Sequence, residues 1–218
     1  MLKFVLDIKK DQALKVLCLG AHSDDIEIGC GGTVLKLINQ YKNAQVYWVV
    51  LSAKGKRKKE AADSAKAFLA DAKSETIIIK GFKDGFFPYI GGEIKEYFEE
   101  LKQAFCPDFI FTHYRNDLHQ DHRLVSELTW NTFRDHLIFE YEIPKYDGDL
   151  GPPNLFIYLD EATCRKKVQH IFNIYKTQGE NQWFSEETFQ SILRIRGVES
   201  NSPTKYAEAF YCRKTVIV

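Results

Sequence analysis

Short apolar runs that alternate with helix-like segments constrain the fold of this chain more than any other feature. Four such runs in the first half are typical of buried strands, at 15–19, 45–51, 76–79 and 108–112. Apolar residues at helical spacing, or Ala-rich composition without Pro or Gly, predict helices between them at 34–43, 57–72 and 92–105. Strands separated by helices of this length indicate βαβ units. We therefore predict an α/β, Rossmann-like fold, with a mostly parallel, doubly wound sheet and helices on both faces.

The second half of the chain is less regular. Helices are expected at 122–133, 162–175 and 184–196, and short strands at 139–144 and 155–159. The turn-dense stretch 144–153 is interpreted as a loop, since strands on both sides argue against a linker between domains. No internal repeat is visible, and we expect residues 1–218 to form a single domain.

Composition excludes several classes of protein. The 218 residues contain 30 basic and 30 acidic side chains, so the formal net charge is zero and a diffuse nucleic-acid binder is disfavoured. The first residues lack a secretory pattern, and no run approaches the roughly 18 apolar residues of a membrane-spanning helix. The five cysteines form no C-x-x-C pair, which is typical of buried thiols in a reducing compartment. We expect a cytoplasmic protein with no transmembrane segment and no nucleic-acid partner.

Two polar clusters follow the first and fourth predicted strands, at 20–27 and 113–122. Ligands of open α/β sheets bind beyond the carboxyl ends of the strands, and these two loops hold four of the six histidines. Metal-assisted hydrolysis needs about three protein ligands, a carboxylate base and an oxyanion donor. His22, Asp25 and His122 can supply the ligands, while Asp24 is free to accept a proton. Taken alone, the first cluster is equally typical of a polar turn with a helix cap.

At this point the chain resembles a known family. The segments AHSDD at 21–25 and GCGGT at 29–33 resemble the A-H-P-D-D-x-x-x-G-x-G-G-T signature of the PIG-L/LmbE-like zinc-dependent de-N-acetylases, with Ser23 in place of the usual Pro. The segment DLHQDH at 117–122 is similar to the H-x-D-H element of that family. Weaker similarities extend the part of the chain that resembles the family to roughly residues 15–211. They are found at Arg57-x-x-Glu60, Phe82-x-Asp84-Gly85, Arg196-Gly197 and 206–210.

The resemblance implies a role for each residue of the two clusters. The zinc ligands of the family match His22, Asp25 and His122, and its general base matches Asp24. His119 matches the residue that stabilises the oxyanion and protonates the leaving amine. One Zn²⁺ per chain is expected, and another divalent metal remains open.

Three further positions complete the implied site. Asp121 matches a carboxylate that tunes His119, and we expect its charge to favour the protonated imidazole. Arg57 and Asp84 match residues that contact the sugar. Without the resemblance, each of these two residues has an alternative role. Arg57 lies in the basic run 54–59, which is typical of a solvated surface, and Asp84 precedes Gly85, which is typical of a turn.

The implied function is hydrolysis of the linear amide of an N-acetylated amino sugar, which releases acetate and a free amine. An N-acetylglucosamine-type glycan, a glycoside and a nucleotide-linked sugar are all compatible substrates. The run 54–59 is either solvated or attractive to a phosphate on the substrate. Trp183 lies in a polar segment where it could stack on a sugar or on a neighbouring subunit, and homo-oligomerisation remains open.

Two alternatives belong to other classes. A Rossmann-type nucleotide-binding module would use Gly29, Gly31 and Gly32, but their spacing is not G-x-G-x-x-G and the acidic loop before them would repel a pyrophosphate. A non-catalytic sugar-binding protein would keep the fold without turnover. The presence of Asp24 and His119 favours the enzyme over the binding protein.

Overall fold

All seven strands of the computed structural model, which describes residue 8 and residues 12–216, belong to one sheet. The strands are β1 (Lys15–Gly20), β2 (Gln45–Val50), β3 (Ser74–Ile79), β4 (Phe109–His113), β5 (Leu137–Tyr141), β6 (Leu155–Leu159) and β7 (Tyr206–Cys212). Their order across the sheet is β3-β2-β1-β4-β5-β7-β6. Neighbours from β3 to β5 are parallel, whereas β7 is antiparallel to both β5 and β6. The predicted α/β fold with a mostly parallel sheet is confirmed.

The helices cover both faces of the sheet. Side chains of β1 alternate between two apolar clusters: Val16 and Cys18 pack in one, Leu17 and Leu19 in the other. The first cluster includes residues of four helices and the second includes residues of two. The helices are α1 (Asp25–Gln40), α2 (Gly55–Leu69), α3 (Gly91–Ala104), α4 (Gln120–Thr132), α5 (Glu161–Ile174) and α6 (Glu186–Glu199). Within the described residues, none of these helices is long and apolar enough to cross a membrane.

Helix α1 begins at Asp25 and not at residue 34, so that predicted boundary was wrong. The glycines that suggested a break are helical, and they allow close packing. A Cβ atom at Gly29 would lie 2.1 Å from the ring of Tyr141, and one at Gly31 would lie 2.6 Å from the ring of Phe68. These glycines therefore serve the contact of α1 with the sheet and with α2, which removes the basis of the nucleotide-binding alternative.

Strand β7 was not predicted. Its residues 207–211 are all buried, including Glu208, whose charge interrupts the apolar pattern on which strand prediction depends. Glu208 is accommodated because Lys167 lies 2.6 Å from one carboxylate oxygen. The remaining predicted strands and helices are present, with ends shifted by a few residues; the largest strand shift puts β5 at Leu137–Tyr141 where 139–144 was expected.

Candidate active site

The two polar clusters meet at one edge of the sheet. Strands β1 and β4 are parallel neighbours, so the loops that follow their carboxyl ends lie side by side. The loop after β3 joins them, because the backbone N–H of Gly85 donates a hydrogen bond to Asp121 (2.7 Å). Arg57 arrives from the first turn of α2, and its Nε donates to the hydroxyl of Ser23 (3.1 Å). Four segments that are distant in sequence thus surround one site.

Donor atoms of three side chains at this edge have the spacing of metal ligands. His22 Nδ1 lies 3.1 Å from His122 Nε2 and 3.4 Å from Asp25 Oδ2, and His122 Nε2 lies 3.6 Å from Asp25 Oδ1. Tetrahedral ligands about 2.1 Å from an ion lie roughly 3.4 Å from one another. The three side chains are buried, and a donor set of two imidazoles and a carboxylate fits zinc. The residues present therefore fit a divalent ion at this position.

Two of the three candidate ligands have the protonation state that metal binding requires, which is neutral for imidazole and ionised for carboxylate. Burial alone would raise the pKa of the Asp25 carboxyl, but His122, His113 and His22 together hold it well below its usual range. Burial and the neighbouring His113 lower the pKa of His122 to about 3. Asp25 and His122 are therefore available as ligands at neutral pH. Burial alone would lower the pKa of the third, His22, but the carboxylates around it, Asp25 foremost, raise it well above its usual value, so an ion that binds His22 displaces a proton.

A further set of residues orients two of the candidate ligands, and no role was assigned to this set from the sequence. Asp117 Oδ2 lies 2.9 Å from His122 Nδ1, the arrangement by which a carboxylate fixes the ring of a ligating histidine. Lys145 Nζ donates to the same oxygen (3.0 Å). His113 Nε2 accepts from the N–H of Ala21 (3.0 Å) and lies 3.2 Å from Asp25 Oδ2. Asp117 and His113 both stand in the second polar cluster, whereas nothing in the sequence points to Lys145.

Asp24 lies beside the three candidate ligands with one oxygen unused. Its Oδ1 is 3.4 Å from both Ser23 Oγ and Arg57 Nη2, while its buried Oδ2 has no hydrogen-bond partner among the described residues. Burial and the charge of Asp25 raise the pKa of Asp24 to about 6, although Arg57 opposes this. A buried carboxylate with a free acceptor atom and a pKa near neutrality has the properties of a general base.

His119 is the N-cap residue of α4 and is partly exposed to the cavity. Its ring lies 4.8 Å from the ring of His22 and 4.6 Å from that of His122, centroid to centroid. Burial and His22 lower the pKa of His119, and the opposing charges of Asp25 and Asp121 do not compensate. The expected direction of the effect of Asp121 is confirmed, since its charge raises the pKa of His119, but burial and His22 outweigh it and the net shift is downward.

The carboxylate of Asp121 makes contacts other than those the resemblance implies. Its Oδ2 lies 3.2 Å from His22 Nε2, and its two oxygens accept from the N–H groups of Gly85 (2.7 Å) and Phe87 (3.1 Å). Toward His119 it offers only its backbone N–H, which donates to Nδ1 (3.3 Å). Asp121 is fully buried, and its direct effect is to orient His22.

Neither of the two predicted sugar-binding residues is a free surface charge. Arg57 Nη1 lies 3.7 Å from Asp84 Oδ2, and Asp84 Oδ1 lies 3.1 Å from His22 Nε2. The hydroxyl of Ser23 accepts the bond from Arg57 Nε, a contact that the Pro of the family signature has no atom to make. Both predicted residues line the cavity above the candidate ligands.

This cavity has a volume of about 330 Å³. It is lined by the three candidate ligands together with Asp24, Arg57, Asp84 and His119, which are seven of the eight predicted site residues; Asp121 lies behind the wall. The other six lining residues come from two segments in which no site residue was predicted from the sequence; they are Ile143, Lys145, Tyr146, Asp147, Gln178 and Trp183. Of these six, only Trp183 was considered from the sequence, as a residue that could stack on a sugar.

Comparisons with known proteins agree with this geometry. The family model described as "PIG-L: GlcNAc-PI de-N-acetylase" matches residues 17–133, more than half of the chain. Among solved structures, the conserved protein TT1542 from Thermus thermophilus has a TM-score of 0.74 at 18% identity, over 94% of this chain and 97% of that one.

Two other solved structures show how widely the fold is used. The N,N′-diacetylchitobiose deacetylase from Pyrococcus horikoshii has a TM-score of 0.64 at 20% identity, over 91% of this chain and 83% of that one. GalB, the 4-carboxy-2-hydroxymuconate hydratase from Pseudomonas putida, has a TM-score of 0.68 at 17% identity, over 94% and 98%. Because these folds host a deacetylase and a hydratase, the reaction has to be argued from the residues of the site.

Proposed function

The chain belongs to the PIG-L family, described as GlcNAc-PI de-N-acetylase, and from this we propose that it is a metal-dependent sugar de-N-acetylase. The reaction is hydrolysis of the acetamide of an N-acetylated amino sugar to acetate and a free amine. One observation carries the proposal: the donor atoms of His22, Asp25 and His122 converge at a cavity that Asp24 also lines, and the buried Oδ2 of Asp24 has no partner among the described residues. We assign this activity to residues 1–218 as one domain, and zinc as the metal, one ion per chain.

The proposed roles follow from what each side chain can do. A divalent ion held by the three ligands would act as a Lewis acid on the acetamide carbonyl and lower the pKa of water at the site. Asp24 accepts a proton from this water as the oxygen attacks the carbonyl carbon. His119 stabilises the developing oxyanion and delivers a proton to the nitrogen as the C–N bond breaks. Asp121 holds the ring of His22, and Asp117 holds that of His122.

Arg57 and Asp84 are proposed to bind the sugar. Both line the cavity next to the candidate ligands, where they would face the ring that carries the acetamide. A guanidinium donates and a carboxylate accepts hydrogen bonds, so the pair can recognise sugar hydroxyls on either side. These contacts would place the acetamide carbonyl against the metal position.

The test is acetate release by zinc-loaded protein from free N-acetylglucosamine, N,N′-diacetylchitobiose and uridine-diphospho-N-acetylglucosamine. We expect release from at least one of these substrates, loss of release after chelation, and recovery when zinc is restored. His122→Ala should lose both zinc and activity, whereas His136→Ala, a histidine outside the cavity, should keep both. Stoichiometric zinc in His122→Ala, or no acetate from any substrate, would contradict the proposal.

A further inference from the structure

One cation that lines the cavity is already matched by carboxylates. Arg57 Nη2 lies 3.4 Å from Asp24 Oδ1, and its Nη1 lies 3.7 Å from Asp84 Oδ2. Its Nε is occupied by the hydroxyl of Ser23 (3.1 Å). A phosphate entering the cavity would therefore compete with two fixed carboxylates for this guanidinium.

The other cation is matched in the same way. Lys145 Nζ lies 3.0 Å from Asp117 Oδ2 and 2.5 Å from Asp149 Oδ2, and it also donates to the carbonyl of Ile143 (3.4 Å). Within the basic run 54–59, only the arginine lines the cavity. Among the described residues that line it, neither Arg nor Lys is left without carboxylate partners, so the cavity offers little to a nucleotide diphosphate.

A firmly anchored segment brings an amide to the cavity wall. The N–H and hydroxyl of Thr177 donate to the two carboxylate oxygens of Glu60 (3.0 and 2.5 Å), which ties this segment to α2. The side chain of Gln178 follows directly and lines the cavity, with its Oε1 held by Asn181 Nδ2 (2.7 Å). The amide is thereby positioned before any ligand arrives.

The same segment presents an aromatic residue. Trp183 lines the cavity, is only partly buried, and contacts Phe184 and Phe189 edge-on, with ring centroids 5.6 and 6.5 Å away. Tyr146 is a second aromatic residue at the cavity and is 70% exposed. Aromatic rings fixed beside polar groups suit the apolar C–H face and the hydroxyls of a sugar ring.

From these contacts we propose that the cavity selects an uncharged N-acetylhexosamine glycoside with at least two rings, and that Trp183 determines this specificity. The inference rests on the proposed function, which places the acetylated sugar at Arg57 and Asp84. Beyond these positions the cavity is lined by Tyr146, Asp147, Gln178 and Trp183, together with Ile143 and Lys145, and the neighbouring ring packs against the indole. A volume of about 330 Å³ lies within the range of pockets for ligands larger than one ring.

The first experiment compares kcat/KM for free N-acetylglucosamine, N,N′-diacetylchitobiose and uridine-diphospho-N-acetylglucosamine. We expect the disaccharide to exceed both others by roughly tenfold or more, the factor of one good aromatic contact. Trp183→Ala should remove most of this preference through a higher KM for the disaccharide, and Trp183→Phe should restore part of it. Tyr89→Ala, which removes an exposed aromatic residue that does not line the cavity, should leave the preference unchanged.

The second experiment measures binding without turnover, by titrating the zinc-loaded protein with chitobiose and following tryptophan fluorescence. A change in the wild type that disappears in Trp183→Phe supports the inference, because Trp48 and Trp130 do not line the cavity. Acetate release with a preference that Trp183→Ala does not alter, or a preference for the nucleotide-linked sugar, overturns the inference and leaves the proposed function standing. Binding that depends on Trp183 without acetate release from any substrate overturns the function instead.

Discussion

Two clusters of buried charge touch α1, and they differ in whether every polar atom has a partner. Where α1 packs against α5 and β7, Glu208 accepts from the N–H groups of Gly32 (2.8 Å) and Thr33 (2.6 Å) and from Lys167 Nζ (2.6 Å). At the start of the same helix, Asp24 Oδ2 is buried without a partner among the described residues. A completely paired carboxylate stabilises the fold, whereas a carboxylate with a vacant acceptor is available for chemistry.

The paired cluster also binds backbone groups of the helix itself. Lys167 Nζ donates to the carbonyl of Ile28 (2.6 Å), while the N–H of Gly32, one turn later, donates to Glu208. Side chains from α5 and β7 thereby satisfy backbone groups of α1. Removing one member would leave a buried charge without its partner and backbone groups of α1 without these side-chain contacts. We therefore expect substitutions in this cluster to lower the stability of the fold.

Substitution of the unpaired carboxylate, Asp24, should have the strongest effect of all, and the effect is on kcat. Asp24→Asn should reduce kcat by roughly 10²–10⁴, because an amide cannot accept the proton of water, while zinc content stays that of the wild type. In the wild type, kcat/KM should rise with pH as Asp24 ionises. A bound cation lowers the pKa of a neighbouring carboxyl, so the rise should lie at or below the value of about 6 that burial and Asp25 give to Asp24. Kinetics and metal analysis check this prediction, with Asp135→Asn, an exposed carboxylate outside the cavity, as control. Near-normal turnover of zinc-loaded Asp24→Asn would rule out this base.

The next effect concerns the paired cluster and is one of stability. Lys167→Met should lower the free energy of unfolding by about 3–5 kcal/mol, because Glu208 is left buried without its cation. Lys166→Met, an exposed neighbour, should change it by no more than about 0.5 kcal/mol. Urea denaturation measures both. If Lys167→Met does not fold, the double variant with Glu208→Gln should recover folded protein; equal effects of the two single lysine variants would contradict the comparison.

His119→Ala should reduce kcat by roughly 10²–10³, the size typical of losing one oxyanion donor, with zinc content unchanged. Because His119 must be protonated to act and its pKa is lowered, the falling limb of a bell-shaped pH profile should lie at lower pH than for free histidine and flatten in the variant. The competing role is a fourth metal ligand, since His119 groups with His22 and His122 within 4.8 Å. Loss of zinc from His119→Ala would favour that role.

The smallest effect is expected at Glu27, a buried carboxyl on α1 that burial keeps neutral by raising its pKa to about 8. The hydroxyl oxygen of Tyr175 lies 2.5 Å from the Ser23 carbonyl and 2.6 Å from Glu27 Oε1. One hydroxyl proton serves only one of these contacts, so the neutral carboxyl supplies the other. Glu27→Gln should therefore change the free energy of unfolding by only about 1 kcal/mol near pH 4, where the carboxyl is neutral in both the folded and the unfolded chain.

The pH dependence of stability tests the same carboxyl. Unfolding lets Glu27 ionise near pH 4.5, whereas the folded chain holds its proton until about pH 8, so wild-type stability should fall as the pH rises between these values. The slope is at most about 1.4 kcal/mol per pH unit. Denaturation curves from pH 5 to pH 8 should show this slope in the wild type and in Glu127→Gln, an exposed control, and lose it in Glu27→Gln. A slope that persists in Glu27→Gln would assign it to another group.

The parallel part of the sheet and the proximity of the two polar clusters could be predicted from the sequence. Local patterns suffice there, because apolar runs of β1 and β4 identify buried strands, and parallel neighbours bring their carboxyl ends to one edge. The proximity of His22 and His122 follows from this topology. The start of α1 was mistaken because glycines favour breaks in isolation, whereas here they allow contact with Tyr141 and Phe68.

The side chains that surround these clusters and complete the cavity could not be predicted from the sequence, because they are brought there by tertiary contacts. Strand β7 carries a buried glutamate whose partner Lys167 stands 41 residues away, and Tyr175 reaches Glu27 across 148 residues. Lys145 likewise enters the cavity from a segment without a local signal for it. The physical reason is that burying a polar group is unfavourable until its partner arrives, and sequence periodicity does not encode that partner.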